Sequence, residues 1–278
     1  MTQDGDVGDD GGPAAHRPLV IATWNVNSLR ARLPRVEQWL AVHQPDVLCL
    51  QETKQPDRTF PSPLFESLGY DTAHHGDGQW NGVAIASRIG LVDVRRGFGS
   101  AEDAEGCRLV AATCGAVRVH SVYVPNGRSL DSEHYVAKLA WLARLRRFLD
   151  ETCDPAGPVA VCGDFNVAPH DRDVWDPAQL EGCTHVSVPE RAALEEVEAW
   201  GLVDVVRAFH GAEALYSWWD YRGGAFHRGH GMRIDLVLVT RVLAERCVAA
   251  WIDREARKGV KPSDHAPVVV EIGEVPPG

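Results

Sequence analysis

Apolar, strand-like runs in this chain repeatedly open or close on a carboxylate, an amide or a histidine. Trp24 leads to Asn25, Leu50 to Gln51-Glu52, and Val122 to Tyr123 and then Pro125-Asn126. Cys162 leads to Gly163-Asp164-Phe165-Asn166, Arg233-Ile234 to Asp235, and Lys261-Pro262-Ser263 to Asp264-His265. An unpaired carboxylate at a buried strand end costs several kcal/mol. Such residues are therefore expected to converge on a metal ion or a charged network. Glu52, Asp164, Asp235 and Asp264 are hard oxygen ligands with little cysteine or histidine beside them. That set suits Mg²⁺, with Mn²⁺ as a substitute, better than Zn²⁺.

The runs also give the fold class. Strands are expected at Leu19 to Trp24, Val47 to Leu50, Gly82 to Ser87, Arg108 to Cys114, Val117 to Val124, Val159 to Cys162, Ile234 to Val239 and Val268 to Ile272. Helices are expected at Leu33 to His43, Ser132 to Leu149 and Arg191 to Trp200, the second capped by Ser129 or Asp131. A strand with a polar end, then a helix, then another strand occurs in both halves. The class is mixed α/β with sheets packed between helices. No linker interrupts residues 18 to 274, so 18–278 reads as a single catalytic domain. Residues 1–17 are rich in Gly and Asp and read as a disordered acidic tail.

A formal net charge of -11 argues against a protein that coats nucleic acid nonspecifically. It leaves room for a basic rim around an acidic metal site. Seven scattered cysteines without a Cys-x-x-Cys pair fit a reducing cytoplasm. No apolar run approaches the ~20 residues of a membrane span, and the N-terminus has no secretory pattern. A cytoplasmic monomer with no membrane partner is expected.

Seven segments in order carry a family resemblance: Thr23 to Arg30, Leu50 to Lys54, Tyr123 to Gly127, Gly163 to Ala168, Tyr216 to Arg222, Arg233 to Asp235, and Ser263 to His265. Together they resemble exonuclease III and the abasic-site endonucleases of the DNase I-like endonuclease/exonuclease/phosphatase superfamily. The resemblance implies a four-layer α/β sandwich, two packed mixed β-sheets flanked by helices, with the site at one edge. It implies a Mg²⁺-dependent DNA repair nuclease that hydrolyses phosphodiester bonds: a 3′-5′ exodeoxyribonuclease and abasic-site endonuclease with 3′-phosphatase activity. Its partner would be double-stranded DNA with abasic sites or 3′ ends.

By the same resemblance, Glu52 would bind the metal with Asn25 beside it. Asp164 would orient or deprotonate the attacking water, and Asn166 would hold that water or a phosphate oxygen. Both belong equally to the metal environment. Asp235 would steer His265 toward the scissile phosphate, and Asp264 would support that pair or a second metal position, with His265 near the metal. Tyr123 would place its hydroxyl near the phosphate or the leaving oxygen. Asn126 and Arg128 would touch DNA, and Trp218, Met232 and Ile234 would line a pocket for an extruded abasic sugar, closed to a nucleotide with its base. Some relatives have an aromatic residue where this chain has Met232. Arg30, Arg32, Lys54, Arg228, Lys258 and Lys261 are further candidates for the basic rim.

Two other readings share these motifs. One is a superfamily phosphodiesterase or phosphatase acting on RNA or inositol phosphate. The other is a catalytically silent DNA-binding relative. Trp218-Trp219-Asp220-Tyr221-Arg222 and Lys54 favour DNA repair, and the intact Glu52, Asp164, Asp235 and His265 favour an enzyme.

Overall fold

Fourteen strands are found among the described residues of the computed structural model, which are 17–99 and 106–273. They are β1 Leu19–Asn25, β2 Val47–Gln51, β3 Asp71–His75, β4 Val83–Ser87, β5 Val92–Arg96, β6 Leu109–Cys114, β7 Val117–Tyr123, β8 Val159–Asp164, β9 Leu202–Asp204, β10 Trp218–Trp219, β11 Gly231–Met232, β12 Asp235–Thr240, β13 Cys247–Ile252 and β14 Val268–Ile272. Two six-stranded sheets have the orders β13-β14-β1-β2-β4-β3 and β5-β6-β7-β8-β12-β9. In each, one parallel pair sits among antiparallel ones: β1 with β2, and β7 with β8.

The two-residue period of the strands sorts their side chains between layers. Ile21, Val47, Cys49, Val119, Cys162 and Val237 face the space between the sheets. The alternate residues Ala22, Leu48 and Leu50 meet helices α1 (Leu29–His43) and α2 (Ser62–Ser67). On the other side Val161, Leu236 and Leu238 meet α3 (Glu133–Thr152) and α4 (Val188–Glu198). The result is the expected four-layer sandwich.

The helix boundaries differ from those the periodicity suggests, and capping explains why. α1 begins at Leu29, not Leu33, because Ser28 N and Leu29 N donate to the Glu52 and Thr53 carbonyls. Pro34 lies inside it. α3 is capped by Ser132 itself, whose hydroxyl accepts from His134 N. α4 begins at Val188 because Ser187 and Glu190 form a reciprocal capping box. Strands β3, β5, β9, β10, β11 and β13 are not among the expected ones, although β13 is apolar throughout, Cys247-Val248-Ala249-Ala250-Trp251-Ile252. Asp71-Thr72-Ala73-His74-His75 and Val92-Asp93-Val94-Arg95-Arg96 carry edge-type polarity. The acidic tail expected over residues 1–17 lies outside the described residues except for Arg17, which pairs with Asp46.

His120 on β7 is fully buried, with Nδ1 donating to the Ala160 carbonyl at 3.3 Å. Burial pushes its pKa down to about 3. The unfolded chain takes up this proton near pH 6.5, whereas the folded chain refuses it, so this contribution is lost as pH falls below about 6.5. Urea melts of the parent and His120→Phe should show the parent losing about 1.4 kcal/mol relative to the variant per pH unit between pH 6 and 4. A difference independent of pH would contradict this.

Candidate active site

The site forms where the ends of both sheets meet. In one sheet the parallel register sets Asn25 beside Gln51, with Glu52 just past the strand. In the other, Asp164 pairs with Tyr123 on one side and Asp235 on the other. Gly163 makes the close β7 approach feasible, since a Cβ there would lie 1.9 Å from the Val122 carbonyl oxygen. Glu52 and Asn166 both adopt left-handed backbone, with φ of 51° and 52°. Such backbone is uncommon for residues other than glycine and is a form of strain concentrated at functional sites.

Ligand atoms of Glu52, Asp164 and His265 lie within 4.8 Å of one another. Asn25 ties the two carboxylates together, its Nδ2 donating to Glu52 Oε1 and Asp164 Oδ2 at 2.9 Å each. Asn25 is therefore a donor bridge in this arrangement. Asp164 also accepts from Asn166 N at 2.9 Å and Asn166 Nδ2 at 3.3 Å. Burial raises its pKa, His265 opposes, and Asp235 and Glu52 add to the rise, giving about 7. Burial would raise Glu52 too, but Lys54 Nζ at 2.7 Å outweighs it and holds the carboxyl below the usual range. Two hard carboxylate donors side by side, Asp164 buried and Glu52 half-buried, fit a divalent cation.

His265 is fixed from three sides. Its Nδ1 donates to Asp235 Oδ2 at 2.8 Å, its N to Ser263 Oγ at 3.2 Å, and its carbonyl accepts from Trp24 Nε1 at 3.1 Å. Burial would depress the imidazole pKa, but Asp235, Asp164 and Asp264 together hold it at about 10. A protonated ring has no lone pair for a metal, so His265 is better suited to donate to a phosphate than to act as a ligand. Its Nε2 lies 3.9 Å from Asp164 Oδ2. Asp235 is held in turn by Ser217 Oγ at 2.6 Å. Tyr123 keeps its phenol protonated, because burial and the nearby Glu52 and Asp164 push its pKa up.

Asp264 stands apart from this cluster. Asn27 Nδ2 donates to its Oδ1 at 3.0 Å and Trp218 Nε1 to its Oδ2 at 3.1 Å. It thus ties the expected pocket to the site in place of adding a ligand. Trp218 faces Met232 across the β10–β11 ribbon, and both pack with Ile234, Ala168 and Val174. The three expected pocket residues therefore pack together, and Trp218 pairs through its backbone with His265.

Asn126 Nδ2 donates to Asn166 Oδ1 at 3.1 Å, and Arg128 is exposed two residues on. Of the expected rim, Arg30, Arg228 and Lys261 are exposed as well. Lys54 and Arg32 have inward partners: Lys54 binds Glu52 and Asn27 Oδ1, and Arg32 binds the Asn27 carbonyl. Lys258 pairs with Glu255. Ser217, the Asn27 link and Trp80 are not among the residues expected from sequence. Trp80 is 76% exposed on the loop whose Asn81 carbonyl accepts from Lys54 N. No apolar periodicity marks such loop residues.

The Endonuclease/Exonuclease/phosphatase family pattern matches residues 22–265. Exodeoxyribonuclease III of Haemophilus influenzae is 35% identical over 268 residues, covering 91% of this chain and 99% of that protein. An AP endonuclease from Archaeoglobus fulgidus superposes with a TM-score of 0.89 at 43% identity, covering 91% of this chain and 99% of that one. A 3′ phosphatase from Neisseria bound to a product DNA hairpin superposes with a TM-score of 0.89 at 40% identity, covering 92% of this chain and all of that one. Among the described residues no helix is long and apolar enough to cross a membrane.

Proposed function

This chain belongs to the endonuclease/exonuclease/phosphatase family, and on that premise we propose that it is a Mg²⁺-dependent DNA repair nuclease. It cuts at abasic sites, trims DNA from 3′ ends and removes 3′-phosphates. The observation that carries this reading is the juxtaposition of Glu52, Asp164 and an Asp235-held His265 beside the Trp218, Met232 and Ile234 cluster. We take residues 18–278 as one catalytic domain acting as a cytoplasmic monomer on double-stranded DNA.

Glu52 and Asp164 would hold the cation, with Asn25 orienting both carboxylates. When bound there, a divalent cation would supply charge neutralisation for the phosphate undergoing hydrolysis. Asp164, oriented by the Asn166 N–H at 2.9 Å, accepts the proton of the attacking water. His265, cationic at neutral pH, donates to a non-bridging phosphate oxygen as negative charge develops. Tyr123 remains a hydrogen-bond donor for the phosphate or leaving oxygen. Asn126 and Asn166 place their amides toward the phosphate, and Arg128 holds the DNA backbone. Trp80 offers an aromatic face for stacking at the rim. The cluster of Trp218, Met232 and Ile234 takes the base-free sugar.

A substrate panel at fixed salt tests the reading: abasic duplex, 3′-recessed duplex, 3′-phosphate duplex, RNA–DNA hybrid and inositol phosphate. Cleavage of the abasic and 3′-end DNA substrates with Mg²⁺, abolished by EDTA and restored by added Mg²⁺, is expected. Turnover confined to RNA or inositol phosphate, or DNA binding without cleavage, would sink it.

A further inference from the structure

Beneath Asn126 and Asn166 lies a fully buried ion pair, of which only Glu190 is marked in the sequence, as the partner of Ser187 in the α4 capping box. Lys138, on α3, and Glu190, on α4, meet at 2.5 Å, both side chains wholly shielded from solvent. Lys138 Nζ also donates to the Asn166 carbonyl at 2.5 Å and the Asn126 carbonyl at 3.3 Å. An ammonium has three protons, and three acceptors surround this one. Glu190 Oε1 further accepts from Thr184 Oγ1 at 2.7 Å and His185 N at 2.9 Å. Its Oε2 accepts from Ser187 Oγ at 2.6 Å and Ser187 N at 3.1 Å.

The same loop returns to the same two carbonyls. Thr184 Oγ1 lies 3.1 Å from the Asn126 carbonyl oxygen, and His185 Nδ1 lies 2.5 Å from that of Asn166. The packing is close: a Cβ on Gly127, which has a φ of 88°, would lie 2.8 Å from Thr184 Oγ1 and 3.2 Å from Lys138 Cδ. Asn166 itself holds a left-handed backbone, a conformation that persists only when its surroundings impose it.

A buried ion pair is weak support for stability, since replacing both partners by neutral groups is often harmless or favourable. The pair's use must therefore lie in what it holds. We propose that Lys138 and Glu190 are positioning residues for hydrolysis: by fixing the backbone carbonyls of Asn126 and Asn166, they set the aim of the two amides toward the phosphate. This rests on the proposed function for the role of those amides, and on geometry alone for the clamp itself.

Three variants of the full chain test it: Lys138→Met, Glu190→Gln and the two together. Lys138→Met leaves an unpaired buried carboxylate, and its melting temperature should fall. In the double variant both charges are gone, while the Gln oxygen still serves Thr184 and His185, so the melting temperature should return toward the parent value. Its kcat on abasic duplex should nonetheless stay about 10- to 100-fold low, with KM within about threefold. Glu190→Gln, which keeps the ammonium, should lie between it and the parent. A stable double variant with parental kcat would overturn the proposal.

Nuclear magnetic resonance gives a readout independent of turnover and of variant folding. In the unaltered protein the Lys138 ammonium protons should exchange slowly and show contacts to the Asn126 and Asn166 backbones. Their absence overturns the clamp whatever the variants do. If the parent cuts no DNA while the ammonium contacts are present, the proposed function fails and the clamp stands.

Discussion

Asp164→Asn is expected to lower single-turnover cleavage of an abasic duplex by about 10²- to 10⁴-fold, the range for loss of a positioned proton acceptor. Binding of the same duplex should change little, because Asp164 faces Asn25, Asn166 and His265 at the buried end of the site. The substitution keeps one oxygen for Asn166 N but removes the basicity and one of two anionic donors to the cation. A second consequence follows from the raised pKa of about 7. The group is neutral in the fold at pH values where the unfolded chain has already ionised it, near 3.9. Its contribution to stability is thus fully present below about pH 4 and lost as pH rises through about 7. Above pH 7 in EDTA, Asp164→Asn should melt no lower than the parent, and added Mn²⁺ should raise the parent's melting temperature more than the variant's. Unchanged turnover would remove Asp164 from its role.

Asp235→Asn is expected to cost about 10²- to 10³-fold in kcat, comparable to loss of one charged donor at the phosphate. Asp235 Oδ2 carries both the His265 Nδ1 contact at 2.8 Å and the Ser217 contact at 2.6 Å. A neutral amide leaves the imidazole with its burial and without its nearest compensating charge. The His265 pKa should then fall from about 10 toward or below 6.5. In the parent, the folded value lies above the unfolded one, so the pair's stabilisation is complete below about 6.5 and disappears as pH rises through about 10. The alkaline fall of kcat should accordingly move from near pH 10 in the parent to below neutrality in the variant. Imidazole ¹⁵N titration would follow the same shift directly. A variant whose activity profile and titration match the parent's would show that Asp235 does not govern His265.

Much of the sandwich was legible because its strands alternate between two apolar environments. Val47, Cys49 and Leu48, Leu50 read as a buried run from sequence, and in the fold they point to opposite layers. The site was legible for a related reason: polar residues at the ends of such runs have no use in a core, and the registers of β1, β2, β7, β8 and β12 bring them to one edge. What escaped reading depends on tertiary contact. The start of α1 is set by carbonyls of the Glu52 loop, which no local propensity reports. Lys138 and Glu190 look like ordinary helix charges until two helices bury them together. Asn25 as a bridge between carboxylates, and Asp264 as a partner of Asn27 and Trp218, follow from side-chain directions that strand ends do not encode.

The most direct measurement is anomalous diffraction from a crystal soaked in Mn²⁺. The account predicts a peak at the meeting point of the sheets, liganded by Glu52 and adjacent to Asp164, with His265 still paired to Asp235 and turned toward the phosphate side. A manganese-free site, or an ion bound away from Glu52 and Asp164, would contradict it.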